Sequence, residues 1–141
     1  MKLLKYTLIL FVLTLLVSTV KTFAAYRPSD GIWRFAGVTV EDYFGYYSSS
    51  QVTKQQSNVK QKFHLTDCKD IDTWVNRNLK VAIHTDETGQ TTAYKEFSNG
   101  DTKTYSDDSF TLMVNRDFNT RMKVANPLAR AVYINAEWYV N

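Results

Sequence analysis

Val132-Tyr133-Ile134-Asn135-Ala136-Glu137-Trp138-Tyr139-Val140 alternates between two kinds of side chain without a break. Successive side chains of an extended chain point to opposite faces, so Val132, Ile134, Ala136, Trp138 and Val140 share one face. Tyr133, Asn135, Glu137 and Tyr139 share the other. A period of two with one apolar face predicts a half-buried β-strand, and its position beside Asn141 predicts a C-terminus pinned into a sheet.

Turn signals upstream predict further strands. Asn99-Gly100 is a favoured hairpin pair, because both residues tolerate the positive φ that a tight turn demands. It is expected to join strands at residues 91–97 and 102–105. Asp86-Glu87-Thr88-Gly89 is expected to close a second hairpin between residues 79–84 and the same 91–97 strand, giving a three-stranded meander. Residues 32–40, a segment near 43–47 and a long strand over 51–65 precede them; residues 110–114 follow. Thr66 or Asp67 offers a cap for a short helical turn over 67–74, and Asn126-Pro127-Leu128 reads as a turn before the last strand. Seven to nine short strands with turns about every ten residues predict an all-β fold, an antiparallel β-sandwich or small barrel.

The first 24 residues read differently. Lys2 and Lys5 are followed by an uncharged, largely apolar run from Tyr6 to Val20, and Thr22-Phe23-Ala24 supplies small residues for signal peptidase. This is a secretory signal peptide cut after Ala24; the run falls short of the roughly 20 residues of a membrane-spanning helix. Residues 25–141 are then a single secreted, extracellular domain, whose contact with the membrane is through the signal peptide alone. Removing 24 of 141 residues leaves 117, enough for one core. It also removes Lys2, Lys5 and Lys21 from the 17 basic residues, leaving 14 against 14 acidic ones. A domain of zero net charge gives no reason to expect nucleic acid as partner.

Candidate chemistry is sparse. Cys68 is the single cysteine, so no internal disulfide forms; the alternatives are a buried thiol, an intermolecular disulfide or a catalytic thiol. His64 lies four residues from Cys68, with His84 elsewhere, but nothing in the spacing brings them together or supplies the remaining ligands of a zinc site. Asp67, Asp70 and Asp72 lack the regular spacing and glycine of a calcium loop. No nucleophile elbow or phosphate-cradling glycine loop is present. Glu41, Glu87, Glu96 and Glu137 are the carboxylates that a small glycosidase would have to use. The expectation is no enzyme, no cofactor and no metal.

The strongest local feature is aromatic. Tyr26, Trp33, Phe35, Tyr43, Phe44, Tyr46 and Tyr47 fall within 22 residues. Such rings are ordinary core residues of strands, but exposed Tyr and Trp also stack on sugar rings. Trp33, Tyr43, Tyr46 and Tyr47 are therefore the candidate binding residues.

Gly31-Ile32-Trp33-Arg34-Phe35, the Tyr-rich segment leading into Ser48-Ser49-Ser50-Gln51-Val52-Thr53, and the aromatic end Glu137-Trp138-Tyr139 resemble small secreted β-sandwich proteins of Gram-positive bacteria, the lactococcin-type bacteriocins and a related-looking secreted family. The chain departs from the bacteriocin pattern in its greater length, fewer glycines and Cys68. The resemblance implies interference with cell-wall synthesis by binding a precursor at the target surface. Three functions follow as expectations: a non-enzymatic module binding a cell-envelope component (a glycan or a secreted or surface protein), a bacteriocin-like toxin, or a small secreted hydrolase. Deleting residues 132–141 is expected to abolish the cooperative unfolding transition in urea; a truncated chain that unfolds like the full one would remove the last strand from the core.

Overall fold

The computed structural model describes residues 29–41, 46–106, 108–127 and 129–140. The proposed signal peptide and Tyr43 lie outside them. Nine strands occur in the order β1 (Ile32–Val40), β2 (Tyr47–Ser48), β3 (Val52–Thr53), β4 (Gln61–Asp70), β5 (Leu79–His84), β6 (Lys95–Phe97), β7 (Thr102–Tyr105), β8 (Asp117–Val124) and β9 (Val132–Tyr139). They form two antiparallel sheets, one of order β1-β9-β4-β7 and one of order β2-β8-β5-β6 in which β3 also pairs with β8. The fold is an all-β sandwich.

The terminal stretch is central rather than peripheral. β9 is paired along its length with β1 on one side and β4 on the other, and its inward residues Val132, Ile134, Ala136 and Trp138 are buried. Both neighbours carry a bulge at the same level. In β1 the register shifts between Ala36 and Val38, and in β4 between Leu65 and Asp67. An extra residue inverts the in–out alternation, so Phe35 before the bulge and Val40 after it both reach the core, as do Leu65 and Cys68. Gly37 is the extra residue in β1. Its φ of +67° suits glycine, its amide donates to Asn135 Oδ1 at 2.9 Å, and a Cβ there would lie 2.7 Å from Tyr133 Oη.

Polar side chains tie the sheets together from inside. Tyr105 Oη, on β7, donates to the Val81 carbonyl on β5 at 2.7 Å. Trp138 Nε1 donates to Gln61 Oε1 at 3.0 Å, and Gln61 Nε2 donates to the Thr111 carbonyl at 3.0 Å. Lys54 is fully buried, and its ammonium donates to the carbonyls of Val59 and Val140. Each of these groups exchanges water for a defined acceptor, which is the condition for burying it.

Strands at 32–40, 79–84, 102–105 and the C-terminus lie where the pattern placed them. Five expectations need correction. Residues 51–65 are two strands in different sheets, separated by a turn in which Asn58 has φ +60°; Lys54 sits at that crossing. Residues 67–70 extend β4 instead of starting a helical turn; the cap chemistry belongs to Asp70, whose Oδ1 accepts the amides of Asp72 and Thr73. Residues 110–114 hold a 3-10 turn, Ser109–Leu112, in which Thr111 Oγ1 donates to the Asp108 carbonyl at 2.8 Å. The strand expected over 91–97 is confined to β6, with a lone bridge from Thr91 to His84.

The fifth concerns topology. Asn99-Gly100 does form a tight turn, with Gly100 at φ +85°, but it carries the chain from one sheet to the other. β6 pairs with β5 and β7 with β4, so there is no three-stranded meander. The turn instead docks on β4: the Gly100 amide donates to the Leu65 carbonyl at 2.7 Å and the Leu65 amide to the Asp101 carbonyl at 3.0 Å. β8 has no counterpart among the expected strands; Phe118, Met122 and Val124 face the core, but Thr120 interrupts the apolar series between them.

Gly37→Ala is expected to lose about 1–3 kcal/mol from its backbone conformation alone, with a further loss from the contact with Tyr133. Adding Tyr133→Phe, which removes the nearest atom, should restore part of that second loss in urea titrations; no restoration would mean the backbone term acts alone.

Candidate functional site

β1 ends at Val40 and β2 begins at Tyr47, and these strand ends flank one edge of the sandwich. Thr39, Glu41, Tyr46 and Tyr47 line a hollow of about 400 Å³ there. A second hollow of about 250 Å³ shares Glu41 and is completed by Ile71, Asp72, Arg130 and Ala131. Two carboxylates, one guanidinium and two phenol rings thus line adjoining concavities. Mixed polar groups beside flat apolar faces are what a small polar ligand requires.

The β4–β5 turn forms the far wall. Asp70 organises it: besides the amides of Asp72 and Thr73, its carboxylate accepts from Arg77 Nε at 3.2 Å. The Thr73 amide first, then the Asp72 amide and the Arg77 guanidinium, hold the Asp70 carboxyl below its usual range against the effect of burial. The turn so fixed displays apolar side chains to solvent: Ile71 is 40% exposed, Val75 52% and Trp74 62%. Trp74 has φ +58°, a conformation that a bulky residue adopts only when its surroundings impose it. Its ring lies 6.0 Å from that of Tyr133, which is paired with Thr39 of the first hollow. Tyr133 thus neighbours the first hollow through Thr39, and Trp74 follows Ile71 and Asp72 of the second along the chain.

Of the four candidate binding residues, Tyr46 and Tyr47 meet in this site. Tyr46 is 48% exposed, whereas Tyr47 is half-buried against the core. Trp33 lies opposite Trp138 on the inward face of its sheet and packs on the core. Tyr43 lies outside the described residues. Reading the sequence for runs of aromatics missed Trp74, because it stands alone. The available signal was a tryptophan inside the polar turn Asp70-Ile71-Asp72-Thr73-Trp74, where no alternation required one.

The remaining candidates are spent elsewhere. His64 faces outward, its Nδ1 2.8 Å from Thr102 Oγ1, while the β4 bulge turns Cys68 inward. The bulge therefore separates a pair that strict alternation would have put on one face. Asp67 binds Lys69 and accepts from Asn99 Nδ2. His84 is nearly buried, with Nε2 2.8 Å from Asp86 Oδ1 and Nδ1 2.7 Å from Thr91 Oγ1. Glu87 meets Arg116, Glu96 accepts from Asn78 Nδ2, and Glu137 accepts from Tyr139 Oη at 2.6 Å. Of the four glutamates considered for hydrolysis, Glu41 lines both of these hollows. Among the described residues no group of three or more His, Cys, Asp or Glu converges as a metal site would require, and no helix is long and apolar enough to cross a membrane.

No family model matches the chain, and no curated protein does. Among solved structures, the CBM22-1 and GH10 modules of the Clostridium thermocellum N-terminal endo-1,4-beta-D-xylanase 10B, complexed with xylohexaose, superpose with a TM-score of 0.34 at 12% identity. The match covers 77% of this chain and 25% of that one, so this chain spans about a quarter of that protein's length.

Burial, and secondarily the charge of Asp67, pushes the Cys68 thiol up from 9.0 to about 12. Below pH 9 the thiol is protonated whether the chain is folded or not, and its contribution is constant. Between pH 9 and 12 only the unfolded chain ionises there, so stability falls as pH rises. Cys68→Ala is expected to be less stable than the parent at pH 7, and the parent's advantage should shrink by about 1 kcal/mol between pH 9 and 10. An unchanged difference in urea titrations would mean that the thiol is accessible to solvent.

Proposed function

We propose that the chain is a secreted, non-enzymatic binding module whose ligand is a glycan of the cell envelope, held at the edge formed by β1, β2 and the β4–β5 turn. The observation that carries this reading is Trp74, more than half exposed and kept at positive φ by a turn that Asp70 clamps. A large apolar ring held in an unfavourable backbone conformation needs a use, and nothing in the core requires it outside. Stacking on a sugar face is that use, since such a ring offers flat apolar area with little rotational freedom to lose. Glu41, Asp72 and Arg130 in the adjoining hollow supply acceptors and donors for hydroxyl groups. Tyr46 and Tyr47 provide a second aromatic wall.

The purified chain is expected to be retained on isolated peptidoglycan or on an insoluble neutral polysaccharide. Trp74→Ala and Tyr46→Ala should each lower retention about tenfold, the effect of losing about 1.4 kcal/mol of binding, without lowering the melting temperature. Retention unaffected by either change would dissociate binding from this edge. Clearing of indicator lawns by the same sample would favour the bacteriocin-like reading, and release of reducing ends that Glu41→Gln abolishes would favour a hydrolase.

A further inference from the structure

The turn that carries the chain from β6 to β7 contains Asn99-Gly100, a pair with a chemistry of its own. The backbone nitrogen of Gly100 can attack the side-chain amide carbon of Asn99 and close a five-membered ring. A glycine in second place leaves that nitrogen unobstructed, because it carries no Cβ. Here the glycine is required by its φ of +85° and not by crowding, since nothing lies within 4 Å of where a Cβ would stand. A turn that only glycine fits thus places a self-reactive bond at a crossing between the two sheets.

Ring closure needs the Gly100 nitrogen to lose its proton, Asn99 Oδ1 to take up negative charge, and Asn99 Nδ2 to leave. The fold opposes each step. The Gly100 amide donates to the Leu65 carbonyl at 2.7 Å, so its nitrogen is aimed at β4 and faces an oxygen that would repel an amide anion. Asn99 Oδ1 is buried without a hydrogen-bond partner, so a developing oxyanion finds no donor. Asn99 Nδ2 donates to Asp67 Oδ1 at 3.1 Å, and Asp67 is itself held by Lys69. Exchanging the oxygen and nitrogen of this amide would set two acceptors against each other, which fixes its orientation. Asp101 pins the far side: its amide donates to the Ser98 carbonyl, its Oδ2 accepts the Ser98 amide, and its carbonyl accepts the Leu65 amide.

We propose that Asn99 is a deamidation site which the folded turn keeps closed, and whose reaction, once it has occurred, prevents the turn from docking again. The Gly100 nitrogen bonds to Asn99 Cγ, the Cγ–Nδ2 bond breaks, and Nδ2 leaves as ammonia with the proton that Gly100 gives up. Water then opens the ring at either carbonyl and leaves aspartate or isoaspartate; nothing is oxidised or reduced. Aspartate sets one carboxylate oxygen against Asp67 Oδ1 and the other in the buried position that lacks a donor. Isoaspartate lengthens the main chain by one carbon, which the closed turn and the Gly100 bond to Leu65 do not accommodate. Every opening of the turn therefore exposes Asn99 to a reaction that removes the chain from the folded pool, so local opening sets the lifetime of the fold. This site is independent of the glycan reading for the edge at Trp74.

The test ages the purified chain and a peptide of residues 97–103 side by side at mildly alkaline pH, with the amide-to-acid mass change at Asn99 followed by peptide mapping. The bonds from Gly100 to Leu65, from Leu65 to Asp101 and from Asn99 to Asp67 must open together, so at ordinary net strengths the folded chain should react about 100-fold more slowly than the peptide. In urea that unfolds it, the chain should match the peptide. Asp67→Ala, which frees Nδ2, should speed the reaction about fivefold. Asn99→Asp should lower the folding equilibrium constant at least about tenfold relative to Asn99→Ala, which loses the same hydrogen bond without adding charge. Should Asn99→Asp fail to fold, hydrogen exchange at the Gly100 amide of aged parent chain decides instead. Faster exchange there than in fresh chain supports the proposal. A folded chain that reacts as fast as the peptide, an Asn99→Asp chain as stable as Asn99→Ala, or a Gly100 amide equally protected after deamidation overturns it.

Discussion

The rest of the sandwich depends on β9 being paired on both sides. Its backbone hydrogen-bonds to β1 and β4 along nearly its whole length, and its inward side chains form the floor of the core. A strand with regular alternation can hold two irregular neighbours, because each bulge needs a straight partner against which the extra residue is counted. Gly37 and Thr66 are those extra residues, the first between the partners of Asn135 and Ile134 and the second between those of Ala136 and Asn135. They bend the sheet at one height and switch the inward parity of both flanking strands together, so that Phe35 and Val40, and Leu65 and Cys68, all reach the same core.

Closure of the two sheets then relies on a few buried polar groups as well as on apolar contact. The chain changes sheet after β1, β3, β4, β6, β7 and β8, and two of these crossings are tied down by named groups. After β3, Lys54 donates to the Val59 carbonyl in the following turn and to the Val140 carbonyl beyond β9. After β6, the turn is held by the backbone of β4 through Gly100 and Asp101. The indole of Trp138, the amide of Gln61 and the Thr111 carbonyl form one chain linking β9, β4 and the 3-10 turn. Burial lowers the ammonium pKa of Lys54, so its charge opposes folding at neutral pH while its hydrogen bonds favour it. Such groups specify which strands meet at the crossing; the apolar residues supply most of the free energy.

The outer surfaces divide into two chemically distinct regions. Around β1, β2 and the β4–β5 turn, carboxylates, a guanidinium and exposed rings surround two hollows. On the opposite sheet, cations stand in a row with aromatic faces beneath them. Among the described residues, most ion pairs gather on the sheet containing β9 and at its turns, whereas Lys80, Arg121 and Lys123 have no carboxylate within ion-pairing distance.

Alternation over residues 132–140 determined by itself that the last strand is half-buried, and turn residues with paired apolar runs placed β1, β5 and β7, because these signals are local. The exposed tyrosine at position 46 was likewise visible as one of an aromatic run. Only the tertiary structure decided that Asn99-Gly100 joins two sheets instead of two neighbouring strands, since a turn dictates the local bend and not the partner that the next strand finds. Bulges inverted the faces of His64 relative to Cys68, which a strict period of two cannot foresee. β8 carries a weak signal in the sequence because Thr120 occupies an inward position where the pattern requires an apolar residue. Trp74 and the row of Lys80, Arg121 and Lys123 are properties of spacing in three dimensions: the first is exposed because Asp70 clamps its turn, and the second exists because antiparallel pairing sets residues 80 and 123 side by side.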